Sequence, residues 1–339
     1  MASTTYFTYE SRPENLTGLK LLACSFAKHS ASSLVVFLPS PLIQEFSAWV
    51  AASGVPARVR EFDSSITGWS VKPHLCLHML ELGAQNPVWI DADIMLIRDP
   101  EALWSREELG SIVFTEDPAL PFDESCRRTT TWGLKVKRRL PHTVNTCVLR
   151  FGPQHRALIS EWCDLTLRSE FREAQKLPFD ERPYFLLSDQ DLLEGLLVSE
   201  KYSDVPVRFL RSGREIIHDF RCGDYRIRDR LRNAVSDRSY FVHGQGIKPW
   251  SESIDQPLYR LTSIFRSVAR GYRASLGAET HWLDLSSPAS KIWRVVALGN
   301  SHLVGCGPIL QDWLGAKVVS ARIQLGAARR RLVAAFKHG

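Results

Sequence analysis

Val88-Trp89-Ile90-Asp91-Ala92-Asp93-Ile94-Met95-Leu96 is an apolar run interrupted by two aspartates one residue apart. Buried strands seldom carry Asp, and close carboxylates repel unless a cation sits between them. The run therefore reads as a strand that ends at a divalent ion. Along an extended chain Asp91 and Asp93 project to the same side, so both can reach one ion or its water shell. Hard oxygen ligands select Mg²⁺ or Mn²⁺, and these ions suit a diphosphate. The competing reading of an isolated D-x-D is a surface turn with two solvated aspartates. The apolar flanks and the motifs further along weigh against it.

Upstream of this run the chain alternates strand-like and helix-like segments. Phe7–Tyr9, Ser33–Leu38 and Ala57–Phe62 read as strands, with Pro39 and Pro41 closing the second. Leu19–His29, Leu42–Ala52 and Lys72–Leu82 read as helices, the last tolerating Pro73 in its first turn. A β-α-β-α-β-α-β rhythm predicts a mostly parallel sheet covered by helices. Ligands bind outside the carboxyl ends of such strands, which is where Asp91 and Asp93 fall if the strand ends near Ile90. Residues 100–140 lose the rhythm; within them Asp117–Asp123 and Cys126–Trp132 read as loops and Lys135–Arg139 is a basic cluster. Thr146–Phe151 reads as a strand, Gln154–Arg172 as a helix, and Asp189–Ser199 as a helix capped by Ser188 or Asp189. Short strands and loops rich in Arg are expected over 203–230, then a strand Tyr240–His243. Beyond residue 252 the texture changes: 255–275 read as helical and basic, 290–300 and 308–319 as a second small α/β or helical group, and the stretch from Ser320 as an amphipathic tail with Arg322, Arg329, Arg330, Arg331 and Lys337. The expected division is a catalytic domain over 1–252 and a mainly helical extension over 253–339.

The chain has 339 residues, 44% of them hydrophobic and 24% charged, with a net charge of +6. These values describe an ordinary globular protein with one large domain and an appendage, or two domains. No apolar run approaches the ~20 residues that span a bilayer. The first ten residues lack the charged start and apolar core of a secretory leader. Seven scattered cysteines, none in a C-x-x-C pair, read as reduced core thiols in a cytosolic protein. The modest positive charge fits an anionic substrate or membrane surface without demanding nucleic acid.

Four further segments can join the aspartates. His243-Gly-Gln-Gly246-Ile-Lys248-Pro-Trp250 sets a metal-competent imidazole, two glycines and a lysine in one short run. There His243 can complete a metal site, Gly244 and Gly246 let the backbone approach a ligand, and Lys248 neutralises phosphate. Ser188-Asp189-Gln190-Asp191 opens a helix whose polar side chains can meet sugar hydroxyls, or simply cap it. Asn145-Thr146-Cys147 precedes a strand and offers an amide, or forms a turn. Lys72 opens a helix and can reach an anionic or hydroxyl-rich donor, or stay solvated.

In this order the motifs resemble nucleotide-sugar glycosyltransferases of the GT-A fold. More narrowly, they resemble glycosyltransferase family eight, the group of glycogenin, galactinol synthase and bacterial lipopolysaccharide glycosyltransferases. The resemblance spans roughly residues 5–250. It implies an α/β fold of GT-A (Rossmann-like) type, with a mostly parallel central sheet flanked by helices and a C-terminal mainly helical extension. It also implies transfer of a hexose from a UDP-sugar to an acceptor hydroxyl, with retention of configuration. Asp91, Asp93 and His243 would hold Mn²⁺ (or Mg²⁺). Asp91 would also touch the ribose of the donor, Lys248 and the Gly246 backbone would contact its phosphates, and Lys72, Asn145 and Asp189 would grip the donor sugar. Gln190 and Asp189 would carry the catalytic roles, Gln190 near the anomeric carbon. The sequence departs from the family pattern twice. Cys147 stands where glycine is usual, and the loop from Gly246 to Lys248 is one residue short.

Two other function classes compete. Another Mg²⁺- or Mn²⁺-dependent phosphate-ester enzyme, a nucleotidyltransferase or phosphohydrolase, needs a second carboxylate cluster, for which Asp189 and Asp191 are candidates. A non-catalytic nucleotide-sugar-binding module would keep the fold, although the intact Asp91, Asp93 and His243 argue against it. Nucleic acid is not expected as a partner, because the arginines of 211–232 lack interleaved stacking aromatics. A saccharide or lipid-linked glycan is compatible as acceptor, which no motif identifies. The amphipathic tail reads first as a helix packed on the main domain and second as a peripheral contact with an anionic membrane surface. The expected location is cytoplasmic, at most peripheral to the inner membrane face.

Overall fold

A computed structural model describes residues 4–66, 68–104, 110–120, 122–219, 239–246, 248–251, 263–277 and 280–283. The expectations for 290–300, for 308–319, for the basic tail and for a domain boundary at 252/253 lie outside these residues. The chain divides into two compact units, Met1–Arg211 and Ser212–Gly339.

In the first unit the expected rhythm is present. It runs β1 (Thr4–Tyr9), α1 (Leu16–His29), β2 (Leu34–Leu38), α2 (Ser40–Ser53), β3 (Ala57–Glu61), α3 (Val71–Glu81) and β4 (Asn86–Ile90). Every residue of β2, Leu-Val-Val-Phe-Leu, is buried, as an inner strand of a covered sheet requires. Pro41 does not merely close β2. It sits in the first turn of α2, where a missing N–H costs nothing. Gly54 ends α2 in the left-handed conformation (φ 68°), and its N–H donates to the Val50 carbonyl at 3.0 Å.

After β4 come β5 (Ile94–Leu96), β6 (Ile112–Glu116), α4 (Arg127–Thr130) and β7 (Val144–Arg150). They are followed by α5 (Arg156–Leu167), α6 (Ser169–Lys176), α7 (Asp189–Val198) and β8 (Val207–Leu210). Seven strands form one sheet in the order β3-β2-β1-β4-β7-β6-β8. Only β7 runs against its neighbours, β4 and β6; the other pairings are parallel. The fold is α/β, with a mainly parallel sheet flanked by helices. From β1 the chain winds outward through β2 to β3 and then returns to place β4 on the other side of β1. That makes β1/β4 a topological switch point, whose carboxyl edge is open to a ligand.

Three local expectations are corrected. First, the Val88–Leu96 run is not one extended strand. β4 stops at Ile90, and a turn follows in which the Ile94 N–H donates to the Asp91 carbonyl at 3.1 Å. Asp91 and Asp93 therefore sit on a turn and not on alternate positions of a strand. Second, the loop expected over Cys126–Trp132 contains one turn of helix, Arg127–Thr130, and Ile112-Val-Phe-Thr-Glu116, which carries no expected element, is a strand. Third, the helix expected over 154–172 is two helices broken at Arg168, which is extended (φ −63°, ψ 142°). The Thr166 hydroxyl donates to the Cys163 carbonyl at 2.6 Å, a local bond that competes with continued helix.

One contiguous core holds the sheet to its helices, with Phe7, Trp89, Phe114, Phe151, Trp162 and Leu193 among its buried members. Fully burying each such side chain contributes about 1.5–3 kcal/mol. The five described cysteines, Cys24, Cys76, Cys126, Cys147 and Cys163, are buried thiols. Burial pushes the Cys163 thiol up to about 12, so it stays protonated and packs as a small apolar group. Among the described residues, no helix is long and apolar enough to cross a membrane.

In the second unit β9 (Ile216–His218) and β10 (Phe241–His243) pair in parallel, with His243 opposite His218. The short helix α8 (Ile264–Ala269) opens with the Ser263 hydroxyl accepting from the Arg266 N–H. Of the expected helical stretch over 255–275, the described part is helical from 264 to 275. Residues 220–238 and 252–262 lie outside the described ones.

Candidate active site

The carboxyl edge of the sheet in the first unit gathers polar side chains from segments far apart in sequence. Parallel strands β1, β4 and β6 end there, at Tyr9, Ile90 and Glu116. The antiparallel β7 begins there, with Val144 opposite Glu116 and Asn145 opposite Thr115. The first turns of α3 and α7 add Lys72 and Asp189 to the same network.

Lys72 is buried, not solvated. Its ammonium lies 2.9 Å from Asp91 Oδ1 and 2.9 Å from the Thr146 hydroxyl oxygen. Desolvation alone would lower its pKa, but the facing carboxylates of Asp91 and Asp189 outweigh that and hold it well above an ordinary lysine. Trp89 Nε1 also donates to Asp91 Oδ1, at 2.5 Å, and the Lys72 ammonium stands 5.3 Å from the Trp89 ring centroid. One oxygen of Asp91 is thus oriented by two donors. Asp93, two residues on, is 9% exposed. The backbone at Asp91 is pinned as well, its N–H donating to the Cys147 carbonyl at 2.8 Å.

Asp189 is buried at the start of α7 and accepts from the Thr146 hydroxyl at 3.3 Å. Desolvation pushes its carboxyl up to about 6, with Lys72 opposing the shift. Its own carbonyl accepts from Trp162 Nε1 at 2.8 Å, which locks α7 onto α5. Asp91, Lys72, Thr146 and Asp189 therefore form one continuous chain of polar contacts.

A second chain lies beside it. Asn145 is inside β7 and does not precede it, so the turn expected at Asn145-Thr146-Cys147 is a buried strand. Its amide donates to Asp117 Oδ2 at 2.9 Å, and Gln190 Nε2 donates to the same oxygen at 3.1 Å. Asn145 Oδ1 accepts from the Cys147 N–H at 2.9 Å, a bond a glycine there would also make. Asp117 thus orients two expected donor-site amides, and sequence reading missed it. The signal was present: Ile-Val-Phe-Thr is a β-branched and aromatic run, and Asp117 follows directly on the strand it forms.

Asp191 has another task. Its carboxylate accepts from the Ser188 N–H at 2.9 Å and from Arg128 Nε at 2.7 Å. Arg128, itself buried, also donates to Glu194 at 2.9 Å. Asp191 is a cap and a buried counter-ion. The second carboxylate cluster that Asp189 and Asp191 were to supply for a two-ion site is not formed.

Within the first unit Asp91 and Asp93 offer the hard carboxylate oxygens that suit a divalent cation, and Asp189 belongs to the Lys72–Thr146 contacts instead. The nearby Arg12 guanidinium is occupied by Glu10 at 2.8 Å. Burial would lower the Arg12 pKa, but Glu10, Asp93 and Asp91 together raise it, so the field here is negative.

The second unit contains His243, Gly246 and Lys248. His243 ends β10, buried, with Nδ1 3.0 Å from Nδ1 of His218. One of these two nitrogens must accept, so at least one ring is neutral. Gly246 has φ 82°, a conformation that favours glycine. Gly244 serves packing: a Cβ there would lie 3.2 Å from both the Phe265 ring and Pro249. The Lys248 ammonium lies 3.4 Å from the Gly244 carbonyl, and Trp250 packs on Phe265 with ring centroids 5.9 Å apart. Ile247 lies outside the described residues.

No protein-family model and no curated protein matches the chain. Among solved structures, it is similar to the apo form of mouse xyloside xylosyltransferase 1. The identity is 12% and the TM-score 0.47, over 73% of this chain and 99% of that one. At that distance the likeness carries no argument about fold or function.

Proposed function

We propose that the chain is a metal-dependent glycosyltransferase of GT-A type that moves a hexose from a UDP-sugar to an acceptor hydroxyl with retention of configuration. The observation that carries this reading is the Lys72–Asp91 ion pair at a topological switch point, continued through Thr146 to Asp189. Lysine, carboxylates and amides on a covered sheet edge are what a polar, anionic, hydroxyl-rich donor needs. The commitment of Asp191 to Arg128 weakens the two-ion phosphohydrolase or nucleotidyltransferase reading.

Asp91 and Asp93, with His243, are proposed to hold Mn²⁺ or Mg²⁺. Bound there, the ion supplies positive charge to the departing diphosphate. His243, whose Nδ1 engages His218, would ligate through Nε2, an arrangement that fixes ring orientation. Lys248 and the Gly246 backbone are assigned to phosphate oxygens. Lys72, Asn145 and Asp189 are assigned to donor-sugar hydroxyls. Gln190, steadied by Asp117, is assigned to the anomeric centre. A cytoplasmic location belongs to the same proposal and rests on the buried free thiols; contact of the basic tail with an anionic membrane is its secondary reading, after packing on the main domain.

Calorimetric titration with UDP tests this reading. UDP should bind in Mn²⁺ and fail to bind in EDTA. Asp93→Ala should abolish UDP-sugar turnover while leaving the circular dichroism spectrum unchanged. Full activity in Asp93→Ala, or a UDP-sugar panel with neither binding nor slow hydrolysis, overturns it.

A further inference from the structure

Trp69 and Phe179 are 43% and 47% exposed, unusual for large aromatics. They pack edge-to-face, with ring centroids 5.8 Å apart and planes at 82°. Beside both stands Arg182, its guanidinium carbon 5.5 Å from the Trp69 ring centroid and 5.8 Å from the Phe179 ring centroid. Four hydrogen bonds fix that guanidinium. They run to Gln175 Oε1 at 2.6 Å and to the carbonyls of Leu187, Leu177 and Gln175 at 2.8, 3.0 and 3.1 Å. The rings are thus exposed and backed by a guanidinium fixed in place. Nothing in the core requires this, because neither ring belongs to the contiguous core.

The position is as informative as the rigidity. Trp69 lies three residues before Lys72, in the short 3-10 turn that leads into α3. Arg182 is anchored on the Leu187 carbonyl, two residues before Asp189. The platform is therefore built on the two segments that deliver Lys72 and Asp189 to the candidate site. We infer that the Trp69–Phe179 pair braced by Arg182 is the acceptor subsite and stacks a pyranose ring of a saccharide acceptor.

This inference rests on the transferase reading above, which requires an acceptor bearing a hydroxyl. The apolar C–H face of a pyranose covers one aromatic ring, while its hydroxyls stay hydrated or meet polar neighbours. Two rings rimmed by a guanidinium match that size and mixed polarity. They are far smaller than the ~1,200 Å² of a specific protein interface, and they do not form the continuous apolar groove an acyl chain would fill. Pre-fixed side chains also lower the ordering cost of binding a flexible, weakly held ligand.

The test uses the full chain labelled with ¹⁵N at its tryptophan indoles, titrated with lactose, maltose, cellobiose and xylobiose. The Trp69 indole signal is assigned as the one lost in Trp69→Phe. At least one disaccharide should move that signal. Trp69→Ala and Phe179→Ala should each weaken binding of that disaccharide by about tenfold, a loss Trp69→Phe should largely avoid. If no disaccharide moves the Trp69 signal, or if Trp69→Ala binds as the parent does, the subsite assignment is wrong. A UDP titration with Mn²⁺ on the same samples separates the two claims. Absent UDP binding defeats the transferase reading, while the disaccharide result still decides the platform.

Discussion

Lys72 shows what a single residue decides in this fold. A lysine is rarely buried without a partner, and here the partners are Asp91 and the Thr146 hydroxyl, each at 2.9 Å. Removing the ammonium leaves the Asp91 and Asp189 carboxylates facing each other across a desolvated gap. Lys72→Met should therefore lower the unfolding free energy by about 1–3 kcal/mol in urea titration. The same variant should lose UDP-sugar turnover, because the charge that holds Asp91 in place is gone. Lys72 could be singled out in the sequence as the opening of a helix. That Thr146 is its partner was not legible there, because 74 residues separate them.

At the scale of elements, α7 is tied down by close approach as well as by charge. Gly195 faces α4 so tightly that a Cβ would stand 2.1 Å from the Arg128 carbonyl oxygen. The Thr129 hydroxyl donates to the Gly195 carbonyl at 2.9 Å across the same contact. Since the obstacle is backbone, it cannot rotate away. Gly195→Ala should destabilise by about 1–3 kcal/mol or more, read as a lower urea midpoint at unchanged slope. In an ordinary helix interior the same change stabilises, so the sign of the measured shift is the test. The strand and helix periods up to β4 were legible in the sequence because each is a local pattern. β6 was missed because it breaks the helix–strand alternation, and the break at Arg168 was missed because no Gly or Pro marks it.

At the scale of the whole molecule, the Arg128–Asp191–Glu194 cluster makes stability depend on pH. One guanidinium faces two buried carboxylates. Desolvation pushes Glu194 up to about 7 from an ordinary 4.5, with Arg128 opposing. Between those two values the folded chain holds a proton that the unfolded chain has released. This contribution is therefore fully present below about pH 4.5 and is lost as pH rises through about 7. Urea unfolding at pH 5 and pH 7 should show the parent losing more stability over that interval than Glu194→Gln, which has no proton to lose. Equal losses in the two proteins would remove Glu194 as the source.

The amino-acid sequence by itself determined the run of strands and helices through β4, the mainly parallel sheet and the carboxylate pair at its edge. Each of these follows from hydrophobic period, turn residues and the cost of burying a charge, all readable within a dozen neighbouring positions. Only the tertiary structure decided that β7 runs antiparallel between β4 and β6, that Asp117 holds both Asn145 and Gln190, and that Asp191 answers to Arg128 instead of a ligand. Those outcomes depend on partners 28 to 73 residues apart. A buried polar group must find some partner, but local sequence does not say which one lies within reach until the sheet is assembled.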